Sequence, residues 1–521
     1  MAPVELLPPL PEQMRNLNVR DFLEDAVAAH PDEPFLITRD EQLSYAEVDR
    51  RVDRTAAAWA ALGVGKGDRV AFMLENSPDF VVEWLGLAKL GAILVGLNTR
   101  WKALEVAEAL TRTRPSLALA DGGHLDTVRA ANVVEPLALP DFRAQADAAD
   151  GSFARPPLEA TDPVSFIFTS GTTGYPKAVM QTHGAYVLTG QAYPWWLGLE
   201  PGSRLYACLP LLHVNAQAYS TMGAIGLGSG LVLVERFSAS RFWDDVRTYR
   251  ANAFNFIGAV IAILLKAEPG PHERDHELRV MYGAPAFPEP ERTEIEERFG
   301  LRMISGFGMS ETTFGLIEDP YGERRSGSMG KARQHPDPAF VNEARVVSDD
   351  GAELPAGETG ELIIRNPAIM RGYFDDLERT AESLRDGWLW TGDLARRDED
   401  GFFYYVDRKK DVIRRRGENV SSIEVEVVLA AHPAVEEAAV VGVPSELTEE
   451  EILALVQLLP GSAAAPADLA AWCRERLADF KVPRYFQLVD ALPKTATGRL
   501  QKGRVRESLS DPARWWDGEA S

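Results

Sequence analysis

The run Phe168-Thr-Ser-Gly-Thr-Thr-Gly-Tyr-Pro-Lys177 places four hydroxyls, two glycines and one lysine directly behind the apolar stretch Val164-Ser-Phe-Ile-Phe168. Gly171 and Gly174 allow the backbone to approach an anion closely. The hydroxyls of Thr169, Ser170, Thr172 and Thr173, with exposed N–H groups, can cradle phosphate oxygens. Lys177 adds a point charge. A Walker A loop requires lysine directly after the second glycine, and here Tyr175 and Pro176 intervene. A hydroxyl-rich surface turn would have the same composition, but a position at the end of a buried strand favours an anion site. His272-Glu-Arg-Asp-His276 has the spacing of a zinc protease. It follows Pro269-Gly-Pro271 and runs at once into the strand expected at Val280, so it reads as a polar loop rather than a metal helix. Gly226-Leu-Gly-Ser-Gly230 lacks the third glycine of a dinucleotide fingerprint, and Gly308-Met-Ser-Glu-Thr312 lacks the last glycine of a nucleophile elbow.

Elements able to position such a loop are legible around it. Residues 43–62 carry apolar positions at helical spacing, Val70 to Leu74 reads as a buried strand, Phe80 to Leu90 as a helix and Ala92 to Leu97 as a second strand. Strands follow at Val164–Phe168, Leu231–Val234 and Val280–Tyr282. This alternation predicts an α/β architecture with largely parallel sheets. Residues 140–162, rich in Ala and Asp, read as a solvated connection. From about residue 340, short strands at 344–347, 360–364 and 402–406 joined by Gly, Pro and Asp turns predict a small β-barrel-like subdomain. Beyond it lie a helix over 422–431, a strand over 438–441 and a helix over 466–477. The expected organisation is therefore a large N-terminal domain over 1–408, with its β-rich part at about 340–408, and a small α+β domain over 409–521.

The chain has 521 residues, more than one core accommodates, and 45% of them are apolar, as in a folded globular protein. The net charge of −23 disfavours nucleic acid and anionic membrane surfaces as partners, so an anionic substrate must meet a local positive site. Two cysteines far apart argue against a disulfide framework. The N-terminus is broken by prolines and lacks a basic stretch, and no apolar run is long enough to span a bilayer, which leads to the expectation of a cytoplasmic location.

Five further segments follow the loop in order: Pro210-Leu-Leu-His213, Tyr282-Gly-Ala-Pro-Ala286, Gly306-Phe-Gly-Met-Ser-Glu311, Trp390-Thr-Gly-Asp393 and Asp407-Arg-Lys-Lys-Asp411. In this set the chain resembles, over nearly its whole length, the adenylate-forming (ANL) superfamily of acyl-CoA synthetases, peptide-synthetase adenylation domains and luciferases. Residues 230–275 and 321–333 are most similar to the carnitine/crotonobetaine-type CoA ligases. The resemblance implies ATP-dependent conversion of a small or medium acid into an acyl-AMP, release of pyrophosphate, and transfer to coenzyme A. Thr169 to Lys177 would hold the β- and γ-phosphates, and Glu311 the Mg²⁺ bridging them. Ser310 would lie near the α-phosphate, beside Phe307 and Gly308, with Phe307 standing where the family has tyrosine. Gly283, Ala284 and Pro285 would line adenine and the acid pocket, and His213 would contact the acid. Asp393 would accept hydrogen bonds from the ribose hydroxyls, supported by Arg408. Lys410 occupies the hinge position from which the small C-terminal domain swings between two poses.

Taken singly, Asp393 could be a turn residue, Glu311 a charge at a helix N-terminus and His213 a core histidine; their joint order gives them meaning. Pocket candidates His213, Asn215, Tyr282 and Phe287 mix polar and aromatic groups, suited to a compact acid. The sequence also departs from the family. Arg499 stands where the adenylation lysine is expected, and Lys502 follows one helical turn later, so either could carry that role. Arg416 replaces the first of two glycines near the pantetheine passage. With these departures the acceptor stays open between coenzyme A and a carrier protein, an amine or, with an inorganic anion such as nitrite activated, another partner.

Overall fold

A computed structural model describes residues 10, 12–169, 177–270, 272–409, 411–415, 418–445, 450–477, 479–494, 500–509 and 512–518. Two compact units divide the chain. The first comprises Met1–Arg345, Ile363–Trp390 and Asp400–Phe403, and the second Val346–Leu362, Thr391–Glu399 and Tyr404–Ser521.

The first unit is built on two twisted sheets. One has six strands in the order Pro136–Ala138, Leu117–Ala120, Arg69–Met73, Ile93–Gly96, Pro163–Thr169 and Lys177–Thr182. All neighbours are parallel except the last pair, which closes as an antiparallel hairpin. The other sheet has eight strands, in the order Thr312–Ile317, Arg302–Met309, Val280–Ala284, Ala253–Ile257, Leu205–Ala207, Leu231–Leu233, Pro34–Ile37 and Gln42–Ser44. It is parallel in its interior and antiparallel at both edges. One continuous apolar core takes in side chains from both sheets, including Val70, Phe72, Leu94, Phe35, Leu205 and Val280.

Helices join that core according to their patterning. Helix Tyr45–Ala61 starts with a reciprocal capping box between Ser44 and Glu47 and buries Tyr45, Val48, Val52, Ala56 and Trp59, the stripe expected of a half-buried helix. Helix Pro78–Leu90 is buried along almost its whole circumference, with Ser77 as N-cap and Gly91 ending it in the left-handed region at φ +73°. Helix His183–Trp196 is likewise buried on nearly every side. The sharp buried charge of Lys89 is met by Asp49 at 2.6 Å and Asp53 at 2.5 Å from helix Tyr45–Ala61, which satisfies it across the helix pair.

The expectation of a solvated connection over 140–162 is corrected in its first half. Leu139–Ala148 is a helix whose Phe142 is fully buried and stacks on Trp59 with 3.8 Å between ring centroids. An Ala- and Asp-rich composition suggests exposure, but Phe142 and Ala146 lie one turn apart and form a buried apolar stripe. Among the described residues no helix is long and apolar enough to cross a membrane.

The second unit centres on a four-stranded sheet ordered Val435–Pro444, Glu450–Leu458, Tyr485–Val489 and Trp516–Asp517. Period-two alternation divides its first strand between two cores. Ala438 and Val440 pack with Val425, Leu429 and Phe486, while Ala439, Val441 and Val443 pack with Leu453, Leu492 and Val505. Helices Ser422–Ala430 and Pro466–Arg474 supply the first core and helix Lys502–Ser508 the second. Cys208 and Cys473 are buried free thiols, one in each unit.

His183 sets an acid limit on the first unit. Its Nδ1 accepts from the Val19 N–H at 3.1 Å, and burial at a helix N-terminus holds the imidazole near 4 against 6.5 for a free histidine. The unfolded chain therefore binds this proton first, so stability present above about pH 6.5 is lost as pH falls toward about 4. His183→Asn, which keeps an acceptor for Val19, is expected to flatten that slope. Urea midpoints at about pH 7.5 and about pH 4.5 check it, and equal slopes in both proteins would refute the assignment.

Candidate functional site

The anion-loop candidate hangs from a hairpin. Thr169 and Lys177 are directly paired, as are Phe168 with Ala178 and Ile167 with Val179, so the two ends of the loop are held together by the sheet. Ser170, Gly171, Thr172, Thr173 and Gly174 lie outside the described residues. Segment Met370–Phe374 runs beside the hairpin's second strand. Arg371 N donates to Met180 O, Met180 N to Gly372 O and Phe374 N to Ala178 O, each at 2.9 Å. Gly372 is needed there: its φ is +140°, and a Cβ would meet Thr380 Cγ2 at 2.7 Å.

Glu311 occupies the tight turn between strands Arg302–Met309 and Thr312–Ile317, not a helix N-terminus. Three contacts tie this turn to the hairpin and to the segment beside it. Gln181 Nε2 donates to the Ser310 carbonyl, Met370 N donates to the Glu311 carbonyl at 2.7 Å, and the Tyr373 hydroxyl donates to Glu311 Oε1 at 2.8 Å. The Lys177 Nζ lies 4.9 Å from the Tyr373 ring centroid. Tyr373 thus touches both candidate phosphate-side groups. Burial, and then the Glu311 charge, push its phenol well above the ordinary range, so it remains a donor at neutral pH. Among the described residues the Glu311 carboxylate accepts one hydrogen bond, and a carboxylate has about four acceptor positions, so it fits a hard cation such as Mg²⁺.

Strand Val280–Ala284 delivers Gly283 into the sheet and leaves its last residue Ala284, and Pro285 after it, exposed. A Cβ on Gly283 would come within 2.1 Å of the Phe256 carbonyl, so only glycine fits. Phe307 is buried and Gly308 exposed on the neighbouring strand, and a Cβ on Gly308 would meet the Tyr219 hydroxyl at 2.6 Å. Behind them the rings of Tyr193, Tyr219 and Tyr282 interlock at 5.1 to 5.5 Å. Asn255 links this cluster to Asn215 at 2.8 Å and to Ser220 at 3.2 Å. His213 is half-buried at the turn before the helical run Asn215–Thr221, its carbonyl accepting from Gln217 N.

In the second unit, Asp393 is buried with 1% of its surface exposed, in strand Trp388–Arg397. Its Oδ1 pairs with Arg408 Nε at 2.7 Å and lies 3.4 Å from the Tyr405 hydroxyl. The preceding Gly392 has φ +71° and donates its N–H to Glu361, while its carbonyl accepts from Lys409 N. Asp393 and Arg408 are thus brought together. The Lys502 Nζ lies on Ser422 Oγ at 2.5 Å and Glu426 Oε1 at 2.8 Å. Lys410, Arg416 and Arg499 lie outside the described residues. His272 and His276 occupy a loop, with His276 stacked on Trp243 and bonded to the Phe299 carbonyl.

The AMP-binding enzyme family model matches residues 23–374, and the AMP-binding enzyme C-terminal domain matches residues 424–499. The chain belongs to the AMP-binding enzyme family. It is 34% identical over 516 residues to the crotonobetaine/carnitine–CoA ligase of Salmonella heidelberg, covering 94% of this chain and 99% of the relative. The ATP-bound structure of MatB from Rhodopseudomonas palustris superposes with a TM-score of 0.86 at 27% identity, covering 95% of this chain and 99% of that one. The o-succinylbenzoate coenzyme A synthetase MenE from Bacillus subtilis, in complex with AMP, does so with a TM-score of 0.82 at 28% identity, covering 94% and 98%. These likenesses span both units of the family fold.

Tyr373 and Tyr405 were not singled out from the sequence. Arg371-Gly-Tyr373 was the available signal, a glycine before an aromatic, but nothing in it shows that the hydroxyl reaches residue 311. Tyr373→Phe is expected to lower stability by about 1–2 kcal/mol, the worth of a hydrogen bond to a carboxylate discounted for its neighbours. Urea unfolding measures it, and an unchanged midpoint would remove the Tyr373–Glu311 bond from this account.

Proposed function

We infer that the protein is an AMP-forming acid–CoA ligase acting on a small or medium-sized carboxylic acid. A carboxylate is a poor electrophile because its leaving group would be oxide. Attack of a carboxylate oxygen on the α-phosphorus of ATP expels pyrophosphate and leaves a mixed anhydride. Attack of the coenzyme A thiol on that carbonyl then expels AMP and forms the thioester. Little covalent chemistry falls to the protein, so charge neutralisation and positioning carry the catalysis.

The observation supporting this reading most strongly is the arrangement Lys177–Tyr373–Glu311, a cation and a carboxylate held on opposite parts of one buried tyrosine beside the hairpin position where Lys177 pairs with Thr169. We assign Lys177 to the β- and γ-phosphates, with the loop from Thr169 through Ser170, Gly171, Thr172, Thr173 and Gly174. Glu311 is assigned to Mg²⁺, which when bound would neutralise phosphate charge. Asp393 meets the ribose hydroxyls, oriented by Arg408, and Gly283, Ala284 and Pro285 with Phe307, Gly308 and Ser310 flank the base, the acid and the α-phosphate. His213 faces the acid, and Arg499 is assigned to the charge building on the α-phosphate side, with Lys410 as the hinge. A cytoplasmic setting supplies both ATP and coenzyme A.

Pyrophosphate release measured over a panel of compact acids, with and without coenzyme A, tests this function. Acid-dependent release of AMP and a coenzyme A thioester is expected. Release that no acid stimulates would refute adenylation, and turnover that ignores free coenzyme A would move the acceptor to a carrier-protein thiol or an amine. Lys177→Ala and Asp393→Ala are each expected to lower kcat/KM for ATP by about a hundredfold, as removal of one preorganised charge does, with folding retained by circular dichroism. Near-normal values in both would refute the nucleotide assignment.

A further inference from the structure

Lys502 opens helix Lys502–Ser508 with its side chain only 10% exposed, and its ammonium is committed to Ser422 and Glu426. Ser422 continues the path inward. Its Oγ donates to Asp407 Oδ2 at 2.7 Å, and its backbone N–H donates to the same oxygen at 2.7 Å. Ser421 Oγ lies 3.2 Å from the same oxygen, its one proton shared with the Val406 carbonyl at 2.9 Å. The other oxygen of Asp407 accepts the backbone N–H of Arg408 at 2.7 Å, and Arg408 in turn holds Asp393.

The same helix grips the far side of Arg408. Arg506, four residues after Lys502 and so on the same face, pairs with Asp411 at 2.9 Å, and Asp411 N donates to the Arg408 carbonyl at 2.8 Å. Arg408 is thus fixed at its N–H through Lys502, Ser422 and Asp407, and at its carbonyl through Arg506 and Asp411. A hydroxyl has one proton and two acceptor positions, so Ser422 accepts from the lysine while giving its own proton to Asp407. That directionality makes the three groups act as a unit.

We propose that Lys502 is a positioning residue that, through Ser422 and Asp407, fixes Arg408 and with it the carboxylate of Asp393. This rests on the reading of Asp393 and Arg408 as the ribose-facing pair. A lysine spent in this way is not the cation that meets the phosphates. Glu426, lifted to about 7 by burial and drawn down by the Lys502 charge, is the group left uncompensated if Lys502 is lost.

The test compares ATP with 2′,3′-dideoxy-ATP, which lacks the hydroxyls that Asp393 would bind, in acid-dependent pyrophosphate release. The unsubstituted enzyme is expected to prefer ATP in kcat/KM by about tenfold or more, the worth of hydrogen bonds to a charged group. Lys502→Met and Ser422→Ala are each expected to shrink that preference toward unity, and Lys502→Arg to restore it. Lys502→Met lowering turnover of both nucleotides equally would overturn the proposal, and so would Ser422→Ala leaving the preference intact. Ser422→Ala carries the test alone if Lys502→Met fails to fold. An unsubstituted enzyme that releases pyrophosphate but does not discriminate between the nucleotides would overturn the ribose assignment and the proposal with it. One that releases none with any acid would overturn the ligase reading itself.

Discussion

A carboxylate taken out of water is tolerable only where donors converge on it, and three such carboxylates organise the functional regions of this chain. Glu311 receives the Tyr373 hydroxyl, Asp393 receives Arg408, and Asp407 receives Ser421, Ser422 and the Arg408 amide. Each is buried to below one tenth of its surface. The cost of leaving any of them unpaired is several kcal/mol, enough to fix the surrounding loops. The precision of the candidate site therefore comes from neutralising negative charge in a protein that already carries −23.

The two units use this constraint differently. In the first, backbone pairing does most of the positioning: Met370–Phe374 extends the hairpin, and the carboxylate turn is stitched to it by a glutamine, an amide and a phenol. In the second, side chains do most of it. Asp393, Arg408, Asp407, Ser422 and Lys502 form one chain of bonds, passing through the Arg408 backbone N–H, from a strand to the last described α-helix. Bonds to charged groups are about twice as strong as neutral ones and sensitive to geometry, so a change at residue 502 is felt at residue 393.

Much of this was legible locally. The strand ending at Thr169, the helices over 45–61 and 78–90 and the strand at 438–441 follow from apolar periodicity and run length. The glycines at 283 and 308 were visible as motif members, though their reason was not. It is the Phe256 carbonyl and the Tyr219 hydroxyl, 27 and 89 residues away in sequence, that leave no room for a Cβ. Helix Leu139–Ala148 was missed because its apolar stripe is two residues wide and its partner, Trp59, lies some eighty residues upstream.

The sequence by itself determined the α/β class, the order of the motifs and the residue types able to neutralise a triphosphate, because these depend on short-range periodicity and on chemistry carried by single side chains. Only tertiary structure decided which of those side chains meet. Tyr373 joins Lys177 to Glu311, and Lys502 turns inward to Ser422 and Glu426, through contacts between residues some sixty to two hundred positions apart. No local pattern encodes such pairings. They are fixed when sheets and helices pack, and when each buried charge must find its partner.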